Sequence, residues 1–392
     1  MRKSLRAAAA IFFLSTYGIF AAQIAEIPFV PLSPATMAQG GTSIATAQGY
    51  DALFSNPAGF SRGTGAFTLT SSTTWLYSRP DLLVSQLLQI ASGTTSAAAT
   101  FNFINSQVTT GGFGGGLSFG IGYVGEGLGI GAAFILDMMQ YGQTILGMTG
   151  DLTATLGFIG GLSVPFYIGD MKVHVGGDLR PMVRIHAPIP NSTAVSLVTA
   201  LANGGDLAAA LNSTMAYHGT GIGLDLGAIA ELGWFSFGLS IRDLGGTRFL
   251  YSSSTFGSAT ADLASLGRFP AGSSVSDTFV IPMDIGVGIS FHPDLGTTQH
   301  LVDPRFSVDF RNIVGAIDGS ADVWTLLHAG GEVRFFNVFT LRGGVNQGFL
   351  TMGGGVKLLV LDMNLALFTQ ELGVHLGDRP SAGMTFNADV RI

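Results

Sequence analysis

Cysteine is absent from this 392-residue chain, so it has neither a disulfide framework nor a lipid-modified N-terminal Cys. With no thiolate and no ligand spacing among the 7 histidines, no metal site is expected. Charge is scarce: Asp, Glu, Lys and Arg make up 11% of the residues, against roughly a quarter in soluble domains. Beyond residue 25 no apolar run reaches about 20 residues, which rules out helical membrane spans. What charge there is leans acidic. Without Arg2, Lys3 and Arg6, 15 of the 18 basic residues remain against 25 acidic ones, a net charge near −10, which argues against nucleic acid as a partner.

What is abundant is glycine, at 57 residues, phenylalanine, at 29, and strict alternation. In 171–186 Lys172, His174, Asp178, Arg180, Arg184 and His186 alternate with Met171, Val173, Val175, Leu179, Val183 and Ile185. Arg305, Ser307, Asp309 and Arg311 alternate with Phe306, Val308 and Phe310. His328, Glu332 and Arg334 oppose Leu327, Val333 and Phe335, and Thr385, Asn387, Asp389 and Arg391 oppose Met384, Phe386, Val390 and Ile392. A period of two means strands with one face for each parity. Alternation alone fits a soluble sandwich as well as a membrane wall. The missing charge and the missing helical spans favour an all-β fold: a transmembrane antiparallel β-barrel of about 14 strands, each needing only about ten residues.

The N-terminus agrees. Arg2, Lys3 and Arg6 precede an apolar core from Ala7 to about Ala22, with a polar break at Gln23. Residues 1–22 read as a secretory signal peptide, cleaved between Ala21 and Ala25, which sends the chain to the cell outer membrane. Residues 23–64 lack sustained alternation. Asp51 is placed to cap a helical turn that Asn56 ends, and Pro57 and Gly59 force a compact corner; such a segment suits the inside of a barrel. The barrel itself is expected over 65–392, its first strands at 65–78 and near 97–106, with Trp75 and Tyr77 in an interfacial girdle. The run Phe279, Ile281, Met283, Ile285, Val287, Ile289 and Phe291 shares one parity and is expected to face lipid. Asn337 and Asn346-Gln347-Gly348 read as tight turns. Long loops are expected at 79–96, with an apolar helix over Asp81–Leu88, at 188–215, with two helices separated at Asn203–Gly205 and the second capped by Asp206, and at 248–276.

No catalytic residue emerges. Gly116-Leu117-Ser118-Phe119-Gly120 has the spacing of a nucleophile elbow, and Gly120, Gly122 and Gly125 that of a dinucleotide fingerprint. Both lie in an alternating strand with no helix to follow, so neither carries its chemistry and no cofactor is implied. Arg180, Arg184, Arg305, Asp309 and Arg311 are candidate lumen residues. They either pair structurally, with Asp178, Asp309 or the N-terminal segment, or neutralise a passing carboxylate. The glycines Gly111, Gly112, Gly114, Gly115 and Gly116 mark a candidate kink in the wall, since glycine weakens strand pairing.

Asn56-Pro57-Ala58-Gly59, preceded by Met37-Ala38-Gln39-Gly40-Gly41 and Asp51-Ala52, resembles the N-terminal hatch of the FadL-like outer-membrane transporters of long-chain fatty acids. The stretches Leu341-Arg342-Gly343-Gly344-Val345-Asn346-Gln347-Gly348 and Phe368-Thr369-Gln370-Glu371-Leu372-Gly373 look like the spirochaete branch of that group. The resemblance implies a fourteen-stranded barrel plugged by a hatch, in which Asn56, Pro57, Ala58 and Gly59 act in gating. It implies passive uptake of a hydrophobic ligand such as a long-chain fatty acid, with lateral exit into outer-membrane lipid, and insertion by the barrel-assembly machinery. Two departures stand out: Ala47-Gln48-Gly49-Tyr50 lies where an acidic pair is usual, and Ile392 replaces a terminal aromatic residue. A docking or carrier component for secreted proteins is the alternative, because hatch-like N-termini occur there as well. A water-filled porin is a third reading and needs the segment to lie outside the lumen.

Overall fold

The computed structural model describes residues 23–79, 97–203 and 205–392; the expected signal peptide and the expected Asp81–Leu88 helix lie outside the described residues. Its faces are inverted relative to a soluble protein. Arg180 and Asp309 are 0% exposed, whereas their strand neighbours Leu179 and Phe310 are 54% and 42% exposed. Polar side chains point into a closed interior and Leu, Ile and Phe point out, which is the wall of a membrane barrel.

Strand β1 (Gln23–Ala25), helix α1 (Pro34–Ala38) and two 3-10 turns, Gly49–Phe54 and Pro57–Ser61, come first. The wall then runs β2 (Ala66–Tyr77), helix α2 (Ala97–Thr110), β3 (Phe113–Gly125), β4 (Leu128–Tyr141), β5 (Thr149–Ile168) and β6 (Met171–Ile189). Helices α3 (Asn191–Asn203) and α4 (Leu207–Asn212) lead to β7 (Met215–Leu232), β8 (Phe235–Arg242), β9 (Thr247–Thr255), helix α5 (Phe256–Leu266), β10 (Ser273–Ser274), β11 (Thr278–Ile281) and β12 (Asp284–Phe291). After β13 (Val302–Phe310) come helices α6 (Ile313–Asp318) and α7 (Val323–Leu326), then β14 (Leu327–Phe335), β15 (Phe339–Asn346), β16 (Phe349–Leu358), β17 (Leu361–Glu371) and β18 (Pro380–Arg391). Strands β8 and β9 lie end to end along β7, and β12 and β11 lie end to end along them. With each such pair taken as one stave and β18 zipped to β2, the wall closes as a 14-strand antiparallel barrel. Closure leaves no long edge unpaired in lipid.

One end carries tight turns. Phe336 and Asn337 both take positive φ, 54° and 57°, which matches the twist of a two-residue hairpin. The other end carries a crown of helices. Ile104 and Val108 of α2, Ala194, Leu197 and Val198 of α3, and Ala259 of α5 bury against Leu152, Ile185 and Ile189 of the wall. Asp206 caps α4 by accepting from the amides of Ala208 (2.9 Å) and Ala209 (3.2 Å), as the sequence suggested.

Four expectations need correction. The strand expected near 97–106 is helix α2. The loop expected at 248–276 begins later, because β9 continues the wall to Thr255. Trp75 and Tyr77 are not in an outer girdle. A bulge between Thr68 and Ser71 turns two successive residues, Leu69 and Thr70, outward and reverses the parity beyond them, so both rings point inside. The run 279–291 is likewise not one face: it breaks at Pro282-Met283, so Phe279 and Ile281 are buried inside while Val287 and Ile289 face out. Proline lacks the N–H that would continue the ladder.

Candidate functional site

Residues 26–62 run through the barrel interior, and glycines on the wall make room for them. Asn56 is fully buried; its Nδ2 donates to the carbonyls of Ile44 (3.0 Å) and Leu239 (3.1 Å), and its Oδ1 accepts from the Ala58 amide (3.1 Å). Asn56 therefore caps the 3-10 turn Pro57–Ser61 and ties it to β8. Its carboxamide lies where a Cβ on Gly227 would sit, and the Pro57 carbonyl is 2.5 Å from where one on Gly176 would be. The Ala58 carbonyl accepts from Ser163 Oγ at 3.0 Å. Gly59 is needed for space rather than for a left-handed turn, since a Cβ there would come 2.7 Å from the Ala47 carbonyl. Asp51 lies within the preceding turn, which Gln48 starts.

The two stretches that carried the resemblance meet in space. The Gln39-Gly40 backbone lies on Gly330 and Gly344, Gly40 N donates to Thr351 Oγ1 at 3.1 Å, and the Gly40 carbonyl meets His328 Nδ1 at 2.9 Å. A side chain at Gly344 would come within 2.5 Å of Gly40 N. Arg62 ties the segment to the wall: its Nε pairs with Glu231 of β7 at 2.8 Å while Nη1 donates to the carbonyls of Ala45 and Ala47.

The lumen residues fall into separate groups. Arg184 Nη1 binds Glu26 at 3.0 Å and the Ile27 carbonyl at 2.9 Å, with its guanidinium 4.7 Å from the Phe249 ring centre. His186 Nδ1 (2.8 Å) and Tyr251 Oη (3.1 Å) hold the other oxygen of Glu26. Burial by itself raises the Glu26 carboxyl, but the hydrogen bond and charge of His186, with Arg184, outweigh it and hold the group below the ordinary carboxylate range. Arg180 sits in an ionic cluster with Asp178, Asp225 and Asp243 at 3.7, 2.5 and 3.0 Å. Asp309 accepts from the amides of Ser43 (2.7 Å) and Ile44 (2.9 Å); Arg311 lies beside it and donates to Ser43 Oγ. Arg305 only approaches Glu332, at 3.8 Å. Sequence reading missed Glu26, Asp225, Arg242, Asp243 and Arg379. The period-two rule would have reached Asp225 and Arg242, whereas Glu26 and Arg379 lie outside regular alternation.

The glycine run does not open the wall. Gly114, Gly115 and Gly116 pair with Tyr77, Leu76 and Trp75 of β2 on one side and with Met139, Met138 and Asp137 of β4 on the other. The glycines serve close approach: a Cβ on Gly116 would fall within the Trp75 indole, which lies over it and donates from Nε1 to Asp137 at 2.7 Å. Gly111 and Gly112 end helix α2, their amides donating to the Gln107 carbonyl.

The segment 26–62 divides the interior. Toward the tight turns lies a polar cavity of about 320 Å³ lined by Arg62, Arg305, Glu332, Arg342 and Arg391 among others. Toward the crown lie two cavities of about 410 Å³ each, which share Pro28, Val30, Leu32, Arg311, Gln370 and Leu372. Asp51 borders the polar cavity and one of the upper two; burial raises its carboxyl more than Arg391 lowers it. The more apolar upper cavity has Ile27, Val30, Leu32, Trp75, Tyr77, Ile135 and Met139 on its walls, and also Arg242, Arg311 and Arg379. Its four carboxylates are already engaged: Asp137 by Trp75, Asp151 by His186, Asp243 by Thr247 and Arg180, and Asp284 by the Asn312 amide. Arg242 pairs with Asp225 at 3.5 Å, Arg311 with Asp309 at 3.6 Å, and Arg379 lies 4.2 Å from the Tyr141 ring centre, yet Nη2 of Arg242 and Nε of Arg311 and Arg379 are buried without a hydrogen-bond acceptor. Among the described residues no group of three or more His, Cys, Asp or Glu is arranged to hold a metal.

No protein-family model and no curated protein matches the chain. Among solved structures, the Pseudomonas putida toluene transporter TodX is similar over 94% of this chain and 99% of its own, at 14% identity and a TM-score of 0.46. The CymD monoaromatic hydrocarbon channel is similar over 91% and 96% at 12% identity and 0.49, and a Pseudomonas aeruginosa FadL homologue over 94% and 99% at 10% identity and 0.47. These neighbours include the group that the two end motifs resemble, at identities and scores that carry no argument about ligand or mechanism. The barrel rests on this chain's own strand pairing.

Proposed function

We propose that this chain is an outer-membrane channel for hydrophobic molecules that bear an acid group, long-chain fatty acids first among them, which cross by passive diffusion past residues 26–63 acting as a hatch. The observation that carries the reading is the upper cavity: an apolar wall of Trp75, Tyr77, Ile135, Met139, Val30 and Leu32 beside three arginines with buried N–H groups that no protein acceptor uses. A buried donor without an acceptor is costly, and a carboxylate is the acceptor that fits a guanidinium best. An aliphatic tail would occupy the apolar side without competing for those donors. An internal greasy pocket of this kind supports transport over a docking role, and the segment inside the lumen argues against a water-filled porin.

The test is competition binding. The refolded full-length mature barrel is titrated with a fluorescent long-chain fatty acid, then challenged with the unlabelled acid and with its methyl ester. The acid is expected to compete about tenfold better than the ester, and Arg311→Leu with Arg379→Leu to erase that preference, since a charge-assisted hydrogen bond contributes about 1.5–3 kcal/mol. A folded barrel with no saturable binding would overturn the reading.

A further inference from the structure

The β12–β13 ladder stops early. It runs from Phe291↔Phe306 to Val287↔Phe310 and goes no further. Beyond it the Arg311 amide still follows the β14 side, donating to the Leu326 carbonyl, and Asn312 takes φ 54°, caps α6 through Gly315 and donates its amide to Asp284 at 2.7 Å. Strand β13 thus parts from β12 at residue 310 while keeping β14, and the edge of β11 above Pro282 has no β13 residue beside it. The chain's own N-terminal strand takes that edge. Gln23, Ile24 and Ala25 of β1 lie beside Thr278, Phe279 and Val280, and the Glu26 amide donates to the Val280 carbonyl at 2.8 Å. Among the described residues this is the one parallel pairing in a sheet that is otherwise antiparallel. The upper cavity reaches the wall here, since Pro282, Asp284 and Arg311 line it together with Ile27 and Pro28.

We propose that this seam is the lateral exit from the lumen into the membrane and that Gln23–Ala25 is a removable stave that closes it. The proposal rests on the transport reading and adds where the ligand leaves and what moves. A three-residue pairing has few hydrogen bonds to break, whereas the β12–β13 joint below it runs over five residue pairs and the regular β17–β18 joint over eleven. Opening there unpairs only the edge of 278–280, so little backbone is left bare to lipid. The stave is latched by Glu26 on the neighbouring wall, through Arg184 and His186 of β6, with Asp151 of β5 behind His186, and Tyr251 of β9.

Because the chain has no cysteine, a single engineered pair is the only disulfide it can form. Ala25→Cys with Val280→Cys joins β1 to β11 across adjacent strands, a spacing a disulfide spans. Uptake of a fluorescent long-chain fatty acid is measured in cells oxidised and then reduced, with detergent binding measured on the same protein. Leu365→Cys with Phe386→Cys, on the regular β17–β18 joint, is the control. The expected result is loss of uptake in the oxidised seam variant, recovery on reduction, unchanged binding in both states and no effect in the control. A second variant lacking residues 23–25 is expected to take up the probe faster than the intact chain, which keeps the test alive if the cysteine pair assembles poorly. Uptake by the oxidised variant at the reduced rate would sink the exit, as would a mature chain that mass spectrometry shows to begin after Ala25. Absence of binding in either state would instead overturn the transport reading.

Discussion

Two stretches of wall look weak for different reasons. The run Gly114–Gly116 has no side chains to pack, yet it is paired on both sides and covered from within by Trp75. The seam at β11 has ordinary residues, Thr278, Phe279, Val280 and Ile281, and a neighbour only three residues long. A wall opens where a strand loses its partner, and glycine content is a poor guide to that. At Gly116 the missing side chain is filled by an indole, so the glycine tightens the wall it was expected to loosen.

The largest effect is expected at the seam. Glu26→Ala removes the carboxylate that neutralises the buried Arg184, and losing one partner of a buried pair costs about 3–5 kcal/mol. The cost falls on docking of the N-terminal segment, since Arg184 keeps Thr155 but loses its anion. A lone cysteine at Ile24 is expected to change from slow to rapid labelling by a soluble maleimide in this variant, with the barrel still heat-modifiable on a gel. Unchanged labelling would show that the stave is held by something other than Glu26.

Next in size is Gly116→Val on the other side of the comparison. Its branched side chain must displace the Trp75 ring, and overpacking of this kind costs about 1–3 kcal/mol. The midpoint of barrel unfolding in denaturant is expected to fall while labelling at Ile24→Cys stays slow. If the glycine run were the gate, the variant would alter uptake with no loss of stability, which is the result to look for against this account.

How much of this was legible in the sequence follows from the same contrast. Alternation gave the inward face of β6 and β13 residue by residue, because a regular strand keeps its parity. It failed at Trp75 and at Phe279, in each case just past a single irregularity: the bulge at Thr68–Ser71 and the break at Pro282-Met283. One such residue reverses every side chain beyond it. The corner Asn56-Pro57-Ala58-Gly59 was legible as a turn, but not the glycines Gly176 and Gly227 that receive it, because complementarity between distant strands leaves no local pattern. The seam was illegible for the same reason. A ladder that stops at Phe310 is a statement about two strands, and neither strand's sequence contains it.

A smaller effect is expected from acid. Glu26 is held below its ordinary value of 4.5, so its contribution to docking is fully present above that pH and is lost as pH falls through the lower, folded value. Labelling of Ile24→Cys, read with a probe reactive in acid, should therefore stay slow from neutrality to about pH 5 and accelerate below the ordinary carboxylate range. Labelling that stays slow well below the ordinary carboxylate range would assign the latch to another group.

The smallest expected effect is also the one that bears most directly on the seam. Pro282→Ala restores an N–H between β11 and β12, where the parity of the stave reverses. With Asp284 still committed to the Asn312 amide and the β12–β13 pairing still ending at Phe310, the added donor has no β13 residue to meet. Barrel stability is expected to move by less than about 0.5 kcal/mol, the range of changes that touch no packed or paired group. Uptake should hold as well. A marked loss of uptake would mean that the proline itself, and not the missing neighbour, keeps the seam ready to open, and the lesson drawn from the two stretches of wall would have to be reversed at this position.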